Sequence, residues 1–274
     1  MQKIQFSGDA YALYLVMTCS CKCIKMEAMN ICLFKEEELG KPLSFADERG
    51  EHIIKILHKK EGDSFYAGVI NGKAGNATIT KIEGRQIFFD FAPETDGKSL
   101  YPLKMIIGFP RPIQLKRLLR DVAALGVSQV HLTGTELGEK SYMQSNLVEH
   151  GTAYKMLVDG TVQAGGTFVP DLYLHKNLNE CLAAVSGDSA NQLRLCLDNI
   201  NPSGSLMKVL SAQEQKPDSI VAAIGSERGW TDNERNLLEQ SGYIRCGMGK
   251  RIMRTETAAT VSASIIGAVQ GWLE

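Results

Sequence analysis

The sequence predicts an α/β protein in which a small β-rich domain precedes a larger domain built on a mainly parallel sheet. Short strand-like runs with tight turns fill residues 31–102, and strands and helices alternate from there to the C-terminus. Two continuous apolar runs, Leu193 to Leu197 and Ile220 to Ile224, are typical of strands buried on both faces. We therefore expect three segments: an extension outside the fold (1–28), a β-barrel (29–100) and an α/β domain (101–274).

The composition is that of an ordinary globular protein. Of the 274 residues, 44% are apolar and 22% are charged, which excludes a disordered or fibrous chain. No apolar run approaches the ~20 residues of a membrane-spanning helix, so we expect no membrane partner. We also expect a cytoplasmic location. Because 30 Lys and Arg oppose 31 Asp and Glu, any nucleic-acid contact must depend on local patches of charge.

The first 28 residues allow more than one interpretation. The apolar run from Tyr11 to Met17, followed by Cys19, resembles the core of a secretion or lipoprotein signal, but it lacks a clear cleavage site. Alternatively, Met29 is the true start and opens the first strand. We favour an extension that the fold does not need, with secretion as the minor alternative.

The seven cysteines do not follow a metal-binding pattern. Zinc sites use Cys pairs with two to four residues between them and a second pair downstream, whereas no C-x-x-C pair exists here. We expect no metal, and buried thiols in a reducing compartment. The cysteines are Cys19, Cys21, Cys23, Cys32, Cys181, Cys196 and Cys246.

In the first domain, the clearest signal is a hairpin. The run from Gly62 to Ile70 leads into Asn71-Gly72, a dipeptide that favours a two-residue hairpin turn. Two more β-rich runs, Ala77 to Ile82 and Gln86 to Phe91, are separated by a three-residue turn. One short helix around residues 46–58 interrupts the strands.

The second domain begins with an apolar strand from Leu103 to Gly108. Pro112 can start the following helix and Gly126 can end it. One face of this helix is apolar at helical spacing, formed by Leu115, Leu118, Leu119 and Val122. Further along the chain we expect a strand at 126–132 and helices at 144–165 and 178–187.

The segment from Gly134 to Ser141 looks like a phosphate-binding loop, but its spacing is wrong. A P-loop needs four residues between its glycines and an adjacent Gly-Lys pair, whereas here three intervene and Glu139 precedes Lys140. No G-x-G-x-x-G sequence follows a strand either. This excludes the P-loop and argues against a Rossmann dinucleotide site and the common open-sheet methyltransferase design.

A strand, a glycine turn and a capped helix follow one another near the C-terminus. Ile220 to Ile224 leads into Gly225-Ser-Glu-Arg-Gly-Trp230, and Thr231 with Glu234 forms a capping box. Small residues in such a turn let backbone N–H groups approach a ligand, although the same geometry is as often purely structural. For Trp230 we expect a place in the core rather than in a pocket wall.

The stretch from Gly247 to Ala258, with sequence GMGKRIMRTETA, is the most unusual. Two glycines and several cations precede an apolar helix. Cations at a helix start oppose the macrodipole, so they do not serve helix stability. A solvated charge run is the alternative, but Ile252 and Met253 between the cations favour burial.

The motifs Gly225–Trp230 and Gly249–Ala258 together resemble the ribosomal RNA small-subunit methyltransferase E family of the SPOUT superfamily. The resemblance covers about Met29 to the C-terminus and implies a PUA-like β-barrel followed by a SPOUT α/β domain with a trefoil knot. It also implies a homodimer. Smaller matches are His52–His58, Ala124–Val127 and Glu139–Ser141, and the residues implied at the dimer contact are Ile265, Ile266, Val269 and Trp272.

The sequence departs from the family pattern at three places. The usual Gly-Pro-Glu-Gly-Gly turn has Ser226 for Pro and Arg228 for Gly. The family's Glu-Gln-Ser-x-Arg element appears as Val162 to Gly166 and keeps only the Gln, and a family Arg in the first domain is His58. These changes fall mainly on substrate-facing positions, so we expect them to affect the choice of target nucleotide more than cofactor binding.

The resemblance implies S-adenosylmethionine as methyl donor and N3 of a uridine in small-subunit (16S) ribosomal RNA, free or in the assembled subunit, as acceptor. Arg254 would stabilise charge on the uracil ring, and Glu256 would orient Arg254, accept the proton, or serve only the first turn of the helix. The implied cofactor-binding residues are Leu197, Ile224, Gly225, Ser226, Glu227, Gly229, Met248, Gly249, Ile252, Met253, Arg254 and Thr257. The candidate RNA contacts are Lys55, Lys59, Arg111, Arg117 and Lys140.

Two alternatives stay open at this point. The same fold can methylate another base or another RNA. A ribosome-associated protein that has kept the fold and lost turnover would bind RNA without methyl transfer, and the altered segment around Gln163 together with Arg228 motivates that alternative.

Overall fold

The computed structural model describes residues 31–143, 151–185 and 191–274. The extension 1–28, its three cysteines and the start at Met29 lie outside the described residues, as does the first part of the helix expected at 144–165. The predicted α/β class is confirmed, because a small mixed sheet precedes a larger sheet whose strand pairs are all parallel.

The first sheet has five strands in the order β1-β3-β4-β5-β2. Only the β1–β3 pair is parallel, and a short helix, α1 (Glu48–Glu51), continues into a π-helical turn (His52–Ile56) where the sequence predicted a helix. The strands are β1 (Cys32–Phe34), β2 (Leu43–Ser44), β3 (Ser64–Val69), β4 (Ala74–Glu83) and β5 (Gln86–Thr95).

Both predicted hairpins are present, but their turns differ. Gly84 and Arg85, between β4 and β5, have φ of +60° and +64°, the positive values that a two-residue hairpin turn requires. Between β3 and β4 the expected two-residue turn is wrong: the backbone N–H of Val69 donates to the carbonyl of Lys73, so the loop has three residues, and of these only Asn71 has a positive φ, +58°. The Asn71 turn also contacts the second domain, because its side-chain oxygen accepts the backbone N–H of Val169 at 2.9 Å. The hairpin therefore fixes where the small sheet meets the rest of the chain.

The second sheet has seven strands in the order β10-β12-β9-β11-β6-β7-β8. Its central strands are buried on both faces, as their apolar runs predicted: Ala222 packs into the core on one face and Val221 into the core on the other. The strands are β6 (Tyr101–Gly108), β7 (Val127–Thr133), β8 (Asp171–His175), β9 (Gln192–Leu197), β10 (Gly204–Ser205), β11 (Ser219–Ile224) and β12 (Ile244–Gly247).

Helices cover both faces of this sheet. The predicted helix from Pro112 buries Leu115, Leu118, Leu119 and Val122 completely, and Gly126, with a φ of +74°, ends it. None of the helices within the described ranges has the length and hydrophobicity that a bilayer crossing requires. The helices are α2 (Pro112–Ala124), α3 (Lys140–Met143), α4 (Thr152–Gln163), α5 (Leu178–Val185), α6 (Leu206–Ser211), α7 (Asp232–Gln240) and α8 (Thr255–Gln270).

The C-terminal helix α8 corrects part of the expected dimer contact. Ile266 is completely buried in this chain's own core, so it cannot contact a second copy of the folded chain, and that part of the prediction is wrong. Trp272 is partly covered as well, because its ring stacks on Tyr101 with centroids 5.2 Å apart. Ile265 and Val269 are half-buried, and their role in a dimer stays a prediction.

The four described cysteines are buried and free, which confirms the expected buried thiols. Burial raises the pKa of Cys181 to about 12 and the pKa of Cys32 and Cys246 to about 11. Burial also raises the pKa of Cys196. These thiols are therefore protonated and unreactive at neutral pH.

Candidate active site

Three loops meet at one edge of the parallel sheet. Strands β12, β9 and β11 are neighbours and run in the same direction, so the loops that follow them leave from the same edge. They enclose a cavity of about 300 Å³, which we call the three-loop cavity. Its walls include the apolar side chains of Leu197, Ile224, Met248 and Met253.

The loop after β9 is held by a buried ion pair. Asp198 accepts the backbone N–H of Ile200 at 3.0 Å through one carboxylate oxygen and Nε of Arg235 at 2.5 Å through the other. Arg235 also pairs with Asp232 at 2.8 Å. The first turn of α7 thereby fixes the loop, and both Asp198 and Arg235 line the three-loop cavity.

The loop after β11 is a tight glycine turn. The backbone N–H of Gly229 donates to the carbonyl of Ser226 at 2.9 Å, and Gly229 has a φ of +73° that favours glycine. A Cβ on Gly225 would lie 2.8 Å from the backbone of Gly229, so the two ends of the turn touch. Arg228 does not have a positive φ, which explains why a non-glycine residue is accommodated there.

Two polar atoms of this turn region lack a partner. Ser226 Oγ and Trp230 Nε1 are buried, and neither makes a hydrogen bond within the part of the chain that the structure describes. Trp230 is only 2% exposed, which confirms the expected place in the core, although it also lines the three-loop cavity. Because an unmet buried polar group is costly, these atoms suit a cavity that receives a polar ligand.

The loop after β12 is joined to the glycine turn at the start of α8. Thr255 Oγ1 donates to the carbonyl of Gly225 at 3.2 Å, and Thr255 is buried against the cavity. Ile252, which also lines the cavity, is 88% exposed. Arg254 is the N-cap residue of α8, and its side chain is exposed.

Nine of the twelve implied cofactor-binding residues line the three-loop cavity, and Gly249, Arg254 and Thr257 do not. Helical phase explains why Thr257 does not line the cavity. Thr255 and Ala258 share the cavity-facing side of α8, whereas Thr257 lies on the exposed side.

Glu256 is half-buried, and its Oε2 lacks a partner among the described residues. Of the other cavity residues, Asp198, Asn199, Ile200, Arg228 and Arg251 lie in the same three loops as the implied residues, whereas Arg235 lies in α7 and Thr255 and Ala258 lie in α8.

The candidate RNA contacts are spread over both domains. Arg111 lies beside the site, because its backbone N–H donates to Oε1 of Glu227 at 2.9 Å. Lys140 and Arg117 are exposed at the start of α3 and on α2. In the first domain, Lys59 is half-buried and Lys55 is exposed, with its ammonium paired to Glu51 at 2.7 Å.

A separate cluster of potential metal ligands is formed by residues of β7, β8 and α5. His131, His175 and Cys181 are buried, and their ligand atoms lie within 4.8 Å of one another. The two imidazoles hydrogen-bond to each other at 3.0 Å, and Gln129 lies 3.2 Å from the other ring nitrogen of His131. The absence of a metal stays a prediction.

A family model described as "RNA methyltransferase domain" matches residues 97–267. A relative from Treponema pallidum, "Ribosomal RNA small subunit methyltransferase E", is 40% identical, covering 87% of this chain and 90% of the relative. "Ribosomal RNA small subunit methyltransferase E 1" of Borreliella burgdorferi is 30% identical, covering 88% and 98%. A crystal structure of a Neisseria gonorrhoeae ribosomal RNA small subunit methyltransferase E bound to S-adenosylmethionine has a TM-score of 0.71 at 20% identity, covering 88% and 98%. The last likeness shows a shared fold that spans both sheets.

Proposed function

Since the chain belongs to the ribosomal RNA small subunit methyltransferase E family, we propose that it transfers a methyl group from S-adenosylmethionine to N3 of a uridine in small-subunit ribosomal RNA. The observation that carries the proposal is the three-loop cavity, in which residues from both family motifs meet. Its volume of about 300 Å³ is at the lower end of ligand pockets.

The residues of the cavity suit S-adenosylmethionine. Leu197, Ile224 and Met248 provide apolar walls for an adenine ring, and the buried Ser226 Oγ has hydrogen-bonding capacity to spare. Glu227 contributes a carboxylate that makes no ion pair with the described cations, which favours a positively charged sulfonium. When bound, S-adenosylmethionine supplies an electrophilic methyl group, so the protein needs alignment more than a covalent intermediate.

The chain's own residues then act on the acceptor uridine. Loss of the N3 proton leaves negative charge on the uracil ring, and a fixed cation beside the ring stabilises that charge. Arg254 has the required charge, at the point where the loop after β12 enters α8. Glu256 lies two residues further on with an unsatisfied carboxylate oxygen, so it serves either to orient Arg254 or to accept the proton.

The proposal includes three further features. The C-terminus forms a knot, supported by the bond from Thr255 at the start of α8 to Gly225 in the turn after β11. Two copies form a homodimer, for which Ile265 and Val269 retain partly exposed apolar surface on α8. The protein works in the cytoplasm, where ribosomal RNA is its partner, either free or in the assembled small subunit.

Nucleoside mass spectrometry tests the proposal. Unmethylated small ribosomal subunits, and separately their naked RNA, are incubated with the protein and isotope-labelled S-adenosylmethionine. We expect the label in 3-methyluridine. Label in another nucleoside would assign a different acceptor, and no label despite measurable cofactor binding to wild-type protein would contradict the proposed substrate.

A further inference from the structure

A second cavity lies next to the three-loop cavity, on the other side of the first turn of α7. It has a volume of about 520 Å³ and is open to solvent. Asn233 and Glu234 of that turn line it, whereas the neighbouring Arg235 lines the three-loop cavity. Since its other walls carry Lys140 and Lys176, we call it the lysine groove.

The lysine groove offers two cations without an ion-pair partner among the described residues. Lys140 and Lys176 are exposed, and neither ammonium forms an ion pair with any residue that the structure describes. Lys140 begins α3, which follows the loop after β7, and Lys176 lies in the turn after β8; β7 and β8 are neighbouring parallel strands. Two segments distant in sequence thus bring two positive charges to one groove.

Helix termini add to this positive character. Asn177 caps α5, because its Oδ1 accepts the backbone N–H of Glu180 at 3.0 Å, and Asn179 lies in the first turn of that helix. Asn233 lies in the first turn of α7. Both helix N-termini therefore reach the groove, where their partial positive charge and amide side chains favour an anion that also accepts hydrogen bonds.

The two carboxylates of the groove are already occupied. Glu234 accepts backbone N–H groups from Glu136 and from Thr231, each at 2.9 Å. Glu136 in turn accepts the hydroxyl of Thr231 at 2.7 Å. These hydrogen bonds hold both carboxylates on α7 and the loop after β7, and neither carboxylate forms an ion pair with Lys140 or Lys176.

We propose that the lysine groove binds phosphates of the RNA strand whose target nucleotide enters the three-loop cavity, with Lys176 and Lys140 as the contacting residues. This inference rests on the proposed function. One helical turn separates the two cavities, so a strand held in the groove passes directly to the methyl donor. Lysines and amides are the side chains that position a nucleic-acid backbone without reading its sequence.

The test measures RNA affinity as a function of salt. Wild-type protein, Lys176→Gln and Lys140→Gln are titrated with unmethylated small-subunit ribosomal RNA over a range of salt concentrations. Each lost phosphate contact is expected to reduce the magnitude of the log–log salt slope by about one and to weaken binding several-fold. The matched control is Lys208→Gln, an exposed lysine on α6 that lines neither cavity.

Two further readouts separate this contact from a structural effect. Affinity for S-adenosylmethionine and melting temperature should be unchanged in Lys176→Gln, and Lys176→Arg should restore the slope. Unchanged salt slopes in both groove variants, together with methyl transfer by the wild-type protein, would overturn the proposed RNA contact in the lysine groove and leave the proposed function standing. Altered slopes without any methyl transfer would support the groove and contradict the proposed function, and no RNA binding by the wild-type protein would overturn both.

Discussion

Glu234 accepts the backbone N–H of Glu136 at 2.9 Å, although 98 residues separate them in the chain. Glu234 is only 3% exposed, and its other carboxylate oxygen accepts the N–H of Thr231, which completes the capping box of α7. One side chain therefore caps the helix beside the three-loop cavity and holds the loop after β7. A motif that the sequence indicated only as a helix start also joins the loop after β11 to the loop after β7.

Removing this carboxylate should lower stability. Glu234→Ala leaves two backbone N–H groups without an acceptor, and we expect a loss of about 2 kcal/mol in the free energy of unfolding. Urea denaturation measures it. The control is Glu214→Ala, which removes an exposed carboxylate and should change stability by less than about 0.5 kcal/mol; equal losses in the two variants would refute the bridging role.

Gly225 should be essential to the shape of the three-loop cavity. In Gly225→Ala the added Cβ meets backbone atoms of Gly229 at 2.8 Å, so the turn must open. We expect affinity for S-adenosylmethionine, measured by calorimetry, to fall at least tenfold. Gly204→Ala is the matched control, because its Cβ would meet only side-chain atoms, at 3.6 Å or more. Retained affinity in Gly225→Ala would mean that the ligand does not depend on this turn.

The sequence predicted those elements whose signals are local. The two hairpins, the capping box at Thr231 and the buried strands β9 and β11 each depend on residues close together in the chain. Strands β8 and β12 were missed. Three of the five residues of β8 are exposed at the sheet edge, and β12 has only four residues, so neither carries a long apolar run.

The candidate site was predicted only in part, because several of its contacts join residues that are far apart in the chain. The implied cofactor-binding residues came from three segments of the chain, and the family resemblance, rather than a pattern of strands, brought these segments together. The Asp198–Arg235 pair joins residues 37 apart, and no local pattern connects them. Thr255 was missed because its role depends on helical phase, which places it toward the cavity and Thr257 toward solvent.

Arg254 should affect turnover more than cofactor binding. Its side chain is exposed and does not line the three-loop cavity, so Arg254→Ala should keep affinity for S-adenosylmethionine within a few-fold. Loss of the cation beside the uracil ring should lower turnover more than tenfold. Single-turnover methyl transfer and calorimetry measure the two effects. Arg254→Lys retains the charge and should recover part of the rate, whereas unchanged turnover in Arg254→Ala would remove this residue from the mechanism.

The buried histidine pair should make the fold sensitive to acid. Burial lowers the pKa of His131 from its ordinary 6.5 to about 4, with smaller contributions from the neighbouring His175 and Lys104. Burial also lowers the pKa of His175. Between pH 6.5 and 4 the unfolded chain therefore binds protons that the folded chain does not, so stability falls as the pH falls through this window.

For His131 alone, we expect a loss on the order of 3 kcal/mol by pH 4. Urea denaturation at several pH values measures the free energy of unfolding. The quantity compared between wild-type and variant proteins is the slope of this free energy against pH. His131→Gln cannot be protonated and should flatten the slope between pH 6.5 and 4. His58→Asn removes an exposed imidazole from a residue with a φ of +52°, which Asn tolerates, and should keep the wild-type slope. A wild-type slope in His131→Gln would show that the acid sensitivity arises elsewhere in the fold.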